Sequence, residues 1–491
     1  MVDAAGDYAY QENEMRVLFT YFPHYQPGKG YLLVSQNRFT KYRGDPQLIY
    51  PLIPASALTL LKMDGHRVFF LDGILERLSL EEYLKRVQRL SPDIVFFETK
   101  TPCVQKDWAI VESLKRKIPG LLVGCCGDHV SVLPEETLAN SQTDFVVVGG
   151  DYDEGIRRLC AALREGNAVP PGIAYRDHSG KVVIPPKPVF LQRLDDLPFI
   201  DREIVPWRFY HEAWRLYDEF TYLSGSRGCP YRCTFCSWPQ MLYHGRVRFR
   251  SPGNIASEIK FLVARYGIKE FFFDDDTFTC HRPWVMEVCE RIRSLKLPIL
   301  WSCNGRVDNV DAAMLETMKS SGCRLIKYGV ESVHQTTLDR IKKGYTVEEI
   351  VEAFSLTRKA GILIHATAMI GFPWETRQQI METVEFVRKL RPDTCQFSIP
   401  IAYPGTELFQ EAEARGWLAF GRNWQQYDMS LPTLVHPELK PEEIVELCRQ
   451  AWVKVYFSPD FILRKIGRIR RPIHLRWYWR GLFSLIKGHL A

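Results

Sequence analysis

The sequence predicts an α/β chain: a doubly wound, Rossmann-like domain, then a partial (β/α)6 barrel open on one side, then a basic helical C-terminal tail. Three observations predict it. Apolar, β-rich runs alternate with helical stretches between Met15 and Glu165, the mark of a parallel sheet with crossover helices. The same alternation resumes at Glu219 and runs to Pro400. Between the two series lies Pro185–Pro206, rich in Pro and Asp, which reads as a linker. At 491 residues the chain is too long for one ordinary core. The expected divisions are residues 1–184, a linker at 185–215, a barrel at 216–416 and a helical region at 417–491.

In the first series the strand runs are Met15–Tyr21, His66–Leu71, Asp93–Glu98, Gly120–Cys125 and Asp144–Val148. The helices are Pro54–Met63, Leu80–Leu90, Gln105–Arg116, Glu135–Asn140 and Asp153–Glu165, and a hairpin follows at Gly172–Ile184. Doubly wound sheets bind ligands beyond the carboxyl ends of their strands. Those ends carry Glu98, Gly127 and Gly150, which are the expected binding positions here. No G-x-G-x-x-G follows the first strand, so the dinucleotide fingerprint is absent. Cys103, Cys125, Cys126 and Cys160 have no ligand spacing and read as packing residues.

The second series has strands at Glu219–Ser224, Glu270–Asp274, Ile299–Ser302, Arg324–Val330, Ile362–Ile370 and Thr394–Pro400. Directly after the first of them comes Cys229-x3-Cys233-x2-Cys236, with Phe235 before the last cysteine. Iron–sulfur clusters and structural zinc sites normally take four protein ligands, so three thiolates leave a shell that a small molecule can complete. Barrels of parallel strands do chemistry at their carboxyl ends, and this loop lies at one. The other strand ends are polar too: Asp274–Thr277, Cys303–Arg306, Gly329–Ser332, Ile370–Thr376 and Tyr403–Glu407. Taken singly, each is equally a helix cap or turn.

Composition narrows the setting. Hydrophobic content of 46% and charged content of 25% belong to a soluble globular protein, and no apolar run reaches 18 residues. The acidic start has no apolar leader, and thirteen cysteines then imply a reducing, cytoplasmic setting in which clustered thiols bind metal. Residues 461–491 carry eight Lys/Arg and no acid, so the net charge of +6 leaves 6 − 8 = −2 on the rest. A nucleic-acid partner is therefore not expected.

The cysteine loop, its aromatic and its place after a first barrel strand resemble the radical S-adenosylmethionine (SAM) enzymes. The resemblance implies a [4Fe-4S] cluster on Cys229, Cys233 and Cys236, with SAM on the open iron. It implies one-electron cleavage of SAM to a 5′-deoxyadenosyl radical that takes hydrogen from substrate, fed by a flavodoxin or ferredoxin. It puts Phe235 near the adenine, Glu331 toward the ribose or amino acid part, Ile370 and Gly371 on the adenine side and Asp275 at the SAM-facing rim. The domain order over roughly residues 15–420 resembles the cobalamin-binding subclass, which implies cobalamin on the first domain. The D-x-H-x-x-G motif is missing: Asp64-Gly-His66-Arg-Val-Phe69 lacks the glycine and precedes the second strand, so His66 reads as structural. Glu270–Thr279, Trp301–Asn304, Ile341–Gly344 and Tyr403–Thr406 resemble members acting in hopanoid and related lipid biosynthesis, with anaerobic magnesium-protoporphyrin cyclases as wider relatives. The implied reaction is C-methylation or carbon-skeleton and ring modification of a lipid-like or other secondary metabolite. The alternatives are a structural or redox metal cluster without SAM chemistry, and an RNA methylthiotransferase.

The tail 461–491 interleaves its basic residues with Ile, Leu, Trp and Phe, the composition of an interfacial helix. A peripheral membrane contact that brings the barrel mouth to a lipid substrate, and a terminal helix docked on the barrel, are equal expectations.

Overall fold

The computed structural model describes residues 14–32, 34, 41–43, 48–212, 214–467 and 479. The chain forms two compact units.

The first unit carries β1 (Arg16–Tyr21), β2 (Arg67–Asp72), β3 (Ile94–Glu98), β4 (Leu122–Cys126), β5 (Phe145–Val147), β6 (Ile173–Arg176) and β7 (Val182–Val183). Their order in the sheet is β7-β6-β5-β4-β3-β1-β2. The strands β1 to β5 run parallel, while β6 and β7 return antiparallel. Helices α1 (Leu52–Met63), α2 (Leu80–Leu90), α3 (Val104–Lys117), α4 (Asp128–Val132), α5 (Pro134–Asn140) and α6 (Tyr152–Glu165) connect them. The strands β3 and β4 are buried at every position, as near-continuous apolar runs covered on both faces should be. Strand order reverses between β1 and β3, and ligands of such sheets bind at this switch point.

Residues 185–210, expected as a linker, pack into the first unit. The stretch is held by side chains rather than by a ladder. The Leu191 N–H donates to Asp151 at 2.7 Å, Arg202 stacks over Tyr50 at 4.4 Å, and the Tyr210 hydroxyl donates to Asp72 at 2.6 Å. Residues 240–244 and 422–428 also belong to this unit. The second of these lies within the region expected to be a separate helical end.

In the second unit β8 (Phe220–Leu223), β9 (Glu270–Phe273), β10 (Leu300–Gly305), β11 (Cys323–Glu331), β12 (Leu363–Met369) and β13 (Thr394–Ser398) pair in sequence order, all parallel. Between them run α7 (Pro252–Tyr266), α8 (Arg282–Ser294), α9 (Ala312–Ser320), α10 (Val347–Lys359) and α11 (Arg377–Leu390). This is the expected six-unit open barrel. An open barrel leaves an edge, and α12 (Pro441–Tyr456) meets it. The Tyr456 hydroxyl accepts the Cys395 N–H at 2.9 Å and donates to the Cys395 carbonyl at 2.8 Å, satisfying both main-chain groups on β13.

The last described helix is α13 (Pro459–Ile466), capped by Ser458 and anchored by buried Phe461. Arg464 donates to the carbonyls of Arg391 and Pro392, both at 3.3 Å. Those residues immediately precede β13, so α13 sits at the amino end of the barrel. This helix is therefore attached at the end of the barrel opposite the cysteine loop. The rest of the tail, Trp479 apart, lies outside the described residues. Among the described residues no helix is long and apolar enough to cross a membrane.

Candidate active site

The cysteine loop leaves β8 through Ser226–Arg227, which pairs antiparallel with Arg248–Phe249. Asp275 fixes this exit: its carboxylate accepts the Gly225 N–H at 3.0 Å and the Ser226 hydroxyl. The group is fully buried, and burial pushes its pKa up to about 6. Expected at the SAM-facing rim, Asp275 stands behind the loop as its post, while Asp274 and Asp276 keep partial exposure. Gly228 takes φ 92°, a left-handed turn that glycine adopts without strain. Three main-chain bonds then hold the loop: Thr234 N–H to the Ile341 carbonyl at 3.1 Å, Leu408 N–H to the Thr234 carbonyl at 2.9 Å, and Cys236 N–H to the Cys233 carbonyl at 3.1 Å.

Cys229 and Cys233 are buried and Cys236 is half-buried. The Cys229 sulfur lies 3.3 Å from the Thr277 hydroxyl, and burial pushes its thiol up. The Cys233 sulfur lies 3.9 Å from Nη1 of Arg306. Among the described residues no three His, Cys, Asp or Glu groups converge closely enough to hold a single metal ion.

Arg306 is held on several sides. It pairs with Asp308 at 3.0 Å through both Nε and Nη2, donates to the Lys343 carbonyl, and stacks on the Tyr231 ring at 3.6 Å. It is 6% exposed. Next to it stands a buried ion pair, Lys343 to Glu331 at 2.9 Å, with side-chain exposures of 8% and 7%. Burial opposes the charge on Lys343, but Glu331, Tyr345 and Cys233 together hold the ammonium well above its ordinary pKa. Its Nζ also lies 5.6 Å from the Phe235 ring centre. Glu331 itself takes φ 61° at a break in register between β11 and β12. Strained backbone of this kind in a non-glycine residue clusters at functional sites. Gly329 leaves room for the pair, since a Cβ there would stand 2.5 Å from Glu331 Oε1 and 2.9 Å from Lys343 Nζ.

At the end of β12, Ile370 is fully buried and Gly371 takes φ 93°. A Cβ on Gly371 would stand 2.6 Å from Cγ2 of Ile444 on α12. The Glu375 carboxylate accepts the N–H groups of Gly371 and Phe372 at 3.0 and 3.1 Å, and burial pushes it up to about 7. The expected pair thus sits in a tight turn that Glu375 holds closed against α12.

In the first unit, the switch point between β1 and β3 is polar. The Tyr21 hydroxyl donates to Glu98 at 2.6 Å, and Lys100 pairs with Glu98 at 2.8 Å, the two charged side chains 1% and 2% exposed. Gly127, at φ 121°, and Gly150 are close-approach positions: a Cβ would stand 2.3 Å from the Thr99 carbonyl oxygen or 2.2 Å from the Tyr243 ring. Two residues after Gly127, His129 has its Nδ1 3.2 Å from the Thr101 hydroxyl and its Nε2 3.4 Å from Glu136. An open cleft of about 640 Å³ adjoins α4 and α5, lined by groups that include Ser131, Glu135, Asn140 and His244. His66 is structural as expected: its Nδ1 accepts the Met15 N–H at 3.2 Å, before β2 begins.

Residues 223–387 match the radical SAM superfamily. Over 440 residues the chain is 29% identical to an uncharacterized methyltransferase of Pyrococcus horikoshii, covering 88% of this chain and 95% of that one. It is 27% identical to the anaerobic magnesium-protoporphyrin IX monomethyl ester cyclase of Rubrivivax gelatinosus, covering 78% of this chain and 68% of that one. Among solved structures it resembles the radical SAM methyltransferase TsrM of Kitasatospora setae, solved with cobalamin and a [4Fe-4S] cluster. The TM-score is 0.66 at 19% identity, covering 83% of this chain and 76% of that one, a likeness of fold.

Proposed function

We propose that this chain is a cobalamin-dependent radical SAM enzyme that methylates or remodels a carbon skeleton. The observation that carries it is the loop of Cys229, Cys233 and Cys236 at the carboxyl end of the first barrel strand, flanked by Arg306 and the Glu331–Lys343 pair. The donor set fits a [4Fe-4S] cluster: three soft thiols, and a fixed guanidinium beside one of them to offset anionic charge. A cluster held by Cys229, Cys233 and Cys236 would supply the one-electron reduction on which radical chemistry with SAM depends.

The protein's own residues prepare the site. Asp275 and the Ser226–Arg227 ribbon fix the loop's exit. Glu331 and Lys343 set an acceptor and a donor side by side, where SAM presents hydroxyls, an amino group and a carboxylate. Glu375 keeps the Gly371 turn tight. A structural or redox cluster without SAM chemistry would leave a strained Glu331 and its buried lysine nothing to orient.

Support for cobalamin comes from the first unit. Its parallel strands have the order of a doubly wound sheet, with a polar switch point at Tyr21, Glu98 and Lys100. The cleft of about 640 Å³ against α4 and α5 of the same unit lies within the size range of small-molecule and cofactor sites. The substrate is a small or lipid-like molecule, and the electron comes from a flavodoxin or ferredoxin.

Anaerobic turnover with methyl-labelled SAM tests the reading. Label in the product together with S-adenosylhomocysteine means methyl transfer, and 5′-deoxyadenosine without label transfer means skeletal remodelling. SAM left intact by the reconstituted, reduced protein refutes both.

A further inference from the structure

The end of the described chain has an apolar surface that the barrel does not cover. On α13, Ile462, Leu463 and Ile466 are 43%, 68% and 60% exposed. They fall at positions i, i+1 and i+4, so they share one side of the helix. Just before it, Val453 and Phe457 of α12 and its end are exposed as well, and Trp479 beyond it is 64% exposed. Scattered apolar residues on a surface need no explanation, but five between Val453 and Ile466 form a concentration that does.

The opposite side of α13 is firmly attached. Phe461 is buried, Asp460 pairs with Arg391 and Arg464, and Lys465 pairs with Asp393 at 3.5 Å. The exposed face is therefore presented by a fixed helix. After Lys465 the sequence adds Arg468, Arg470, Arg471, Arg476, Arg480 and Lys487 without an acid.

We propose that α13 is a docking surface for an anionic lipid bilayer. Exposed Ile, Leu and Trp side chains enter the interface, and the basic residues meet the headgroups, the two parts that interfacial attachment combines. A second copy of this segment would bring the same positive charge, whereas an anionic bilayer offers the complementary one. Because α13 is fixed at the amino end of β13, docking turns that end of the barrel toward the membrane and leaves the cysteine loop facing away. The surface is a tether rather than a substrate entrance. The docking does not rest on the reaction proposed above.

Flotation of the full-length protein with phosphatidylcholine vesicles containing three-tenths phosphatidylglycerol tests it. The protein should float with these vesicles, at least tenfold less with pure phosphatidylcholine, and less as salt rises. The double substitution Leu463→Glu and Ile466→Glu, at exposed sites, should reduce flotation at least tenfold while circular dichroism and melting stay unchanged. A chain ending at Gly467 should also lose it. Absence of flotation of the intact protein, or equal flotation of the double variant, overturns the proposal. So does sedimentation showing instead a dimer that the double substitution breaks. The orientation has its own test: the rate of SAM cleavage should be the same with and without saturating vesicles, and inhibition by vesicles overturns it.

Discussion

Arg306 should set the reduction potential of a cluster held by the cysteine loop. Its Nη1 lies 3.9 Å from the Cys233 sulfur, and its pairing with Asp308 and stacking on Tyr231 prevent it from turning away. At an effective dielectric of about 20, a full unit charge at that distance interacts by roughly 4 kcal/mol. An added electron spreads over the whole cluster, so about a quarter of that, roughly 1 kcal/mol, acts at this ligand. Because Asp308 stays in place when Arg306 is removed, the loss is that whole roughly 1 kcal/mol, or ~40 mV for one electron. The substitution Arg306→Gln should thus lower the potential by ~40 mV, measured by redox titration followed by electron paramagnetic resonance. Asp308→Asn removes the opposing charge and should raise the potential, by less. Loop distortion would move both variants the same way. A shift of the same sign in both, at equal iron content, refutes the electrostatic reasoning.

Replacing Cys229, Cys233 and Cys236 together by Ala should abolish cluster absorbance and SAM cleavage in one step, and retained cleavage would contradict the site. Lys343→Met strands Glu331 as a buried unpaired charge and should cost about 3–5 kcal/mol in denaturant unfolding; adding Glu331→Gln should restore more than half of it, while SAM binding by equilibrium dialysis stays weak. Glu375 has a folded pKa raised to about 7 against an ordinary value of 4.5, so its contribution is full below about 4.5 and lost as pH rises through 7. Wild type should therefore gain stability from pH 8 to pH 5, by about 3 kcal/mol at most, and Glu375→Gln should remove most of that slope in thermal melts.

The architecture was legible because its signals are local. Apolar runs such as Ile94–Glu98 and the capping boxes at Ser79 and Thr346 give the elements their type and near-true ends. The cysteines were legible because three ligands on one loop need no fold to bring them together. Much of what surrounds them was not. Lys343 lies in a turn between two helices and meets Glu331 only after β11 has ended and the chain has returned, so no spacing marks it. Arg306 was visible as part of a polar strand end, but its closeness to Cys233 depends on three strands lying side by side. Asp275 was visible as an acid at a barrel strand end, but its bonds to Gly225 and Ser226 show only in the fold. Pro185–Pro206 reads as a linker because it lacks periodicity, yet side chains as far along as Arg202 and Tyr210 tie the stretch down.

The direction of the strands in the second unit separates two tasks. Because β8 to β13 are all parallel, every carboxyl end lies on one side, and the polar loops that follow them must gather there. The turns that enter the strands gather on the other side, and Arg391–Asp393 before β13 is where α13 attaches. A membrane contact made through α13 therefore need not compete with ligands of the cysteine loop. It also bears on substrate. A lipid-like substrate would have to leave the bilayer and reach the barrel's far end, which favours molecules with enough polar surface to cross water over those wholly buried in acyl chains. The charged environment at the mouth, with Arg306, Lys343 and Glu331 within one cluster of contacts, is consistent with that selection.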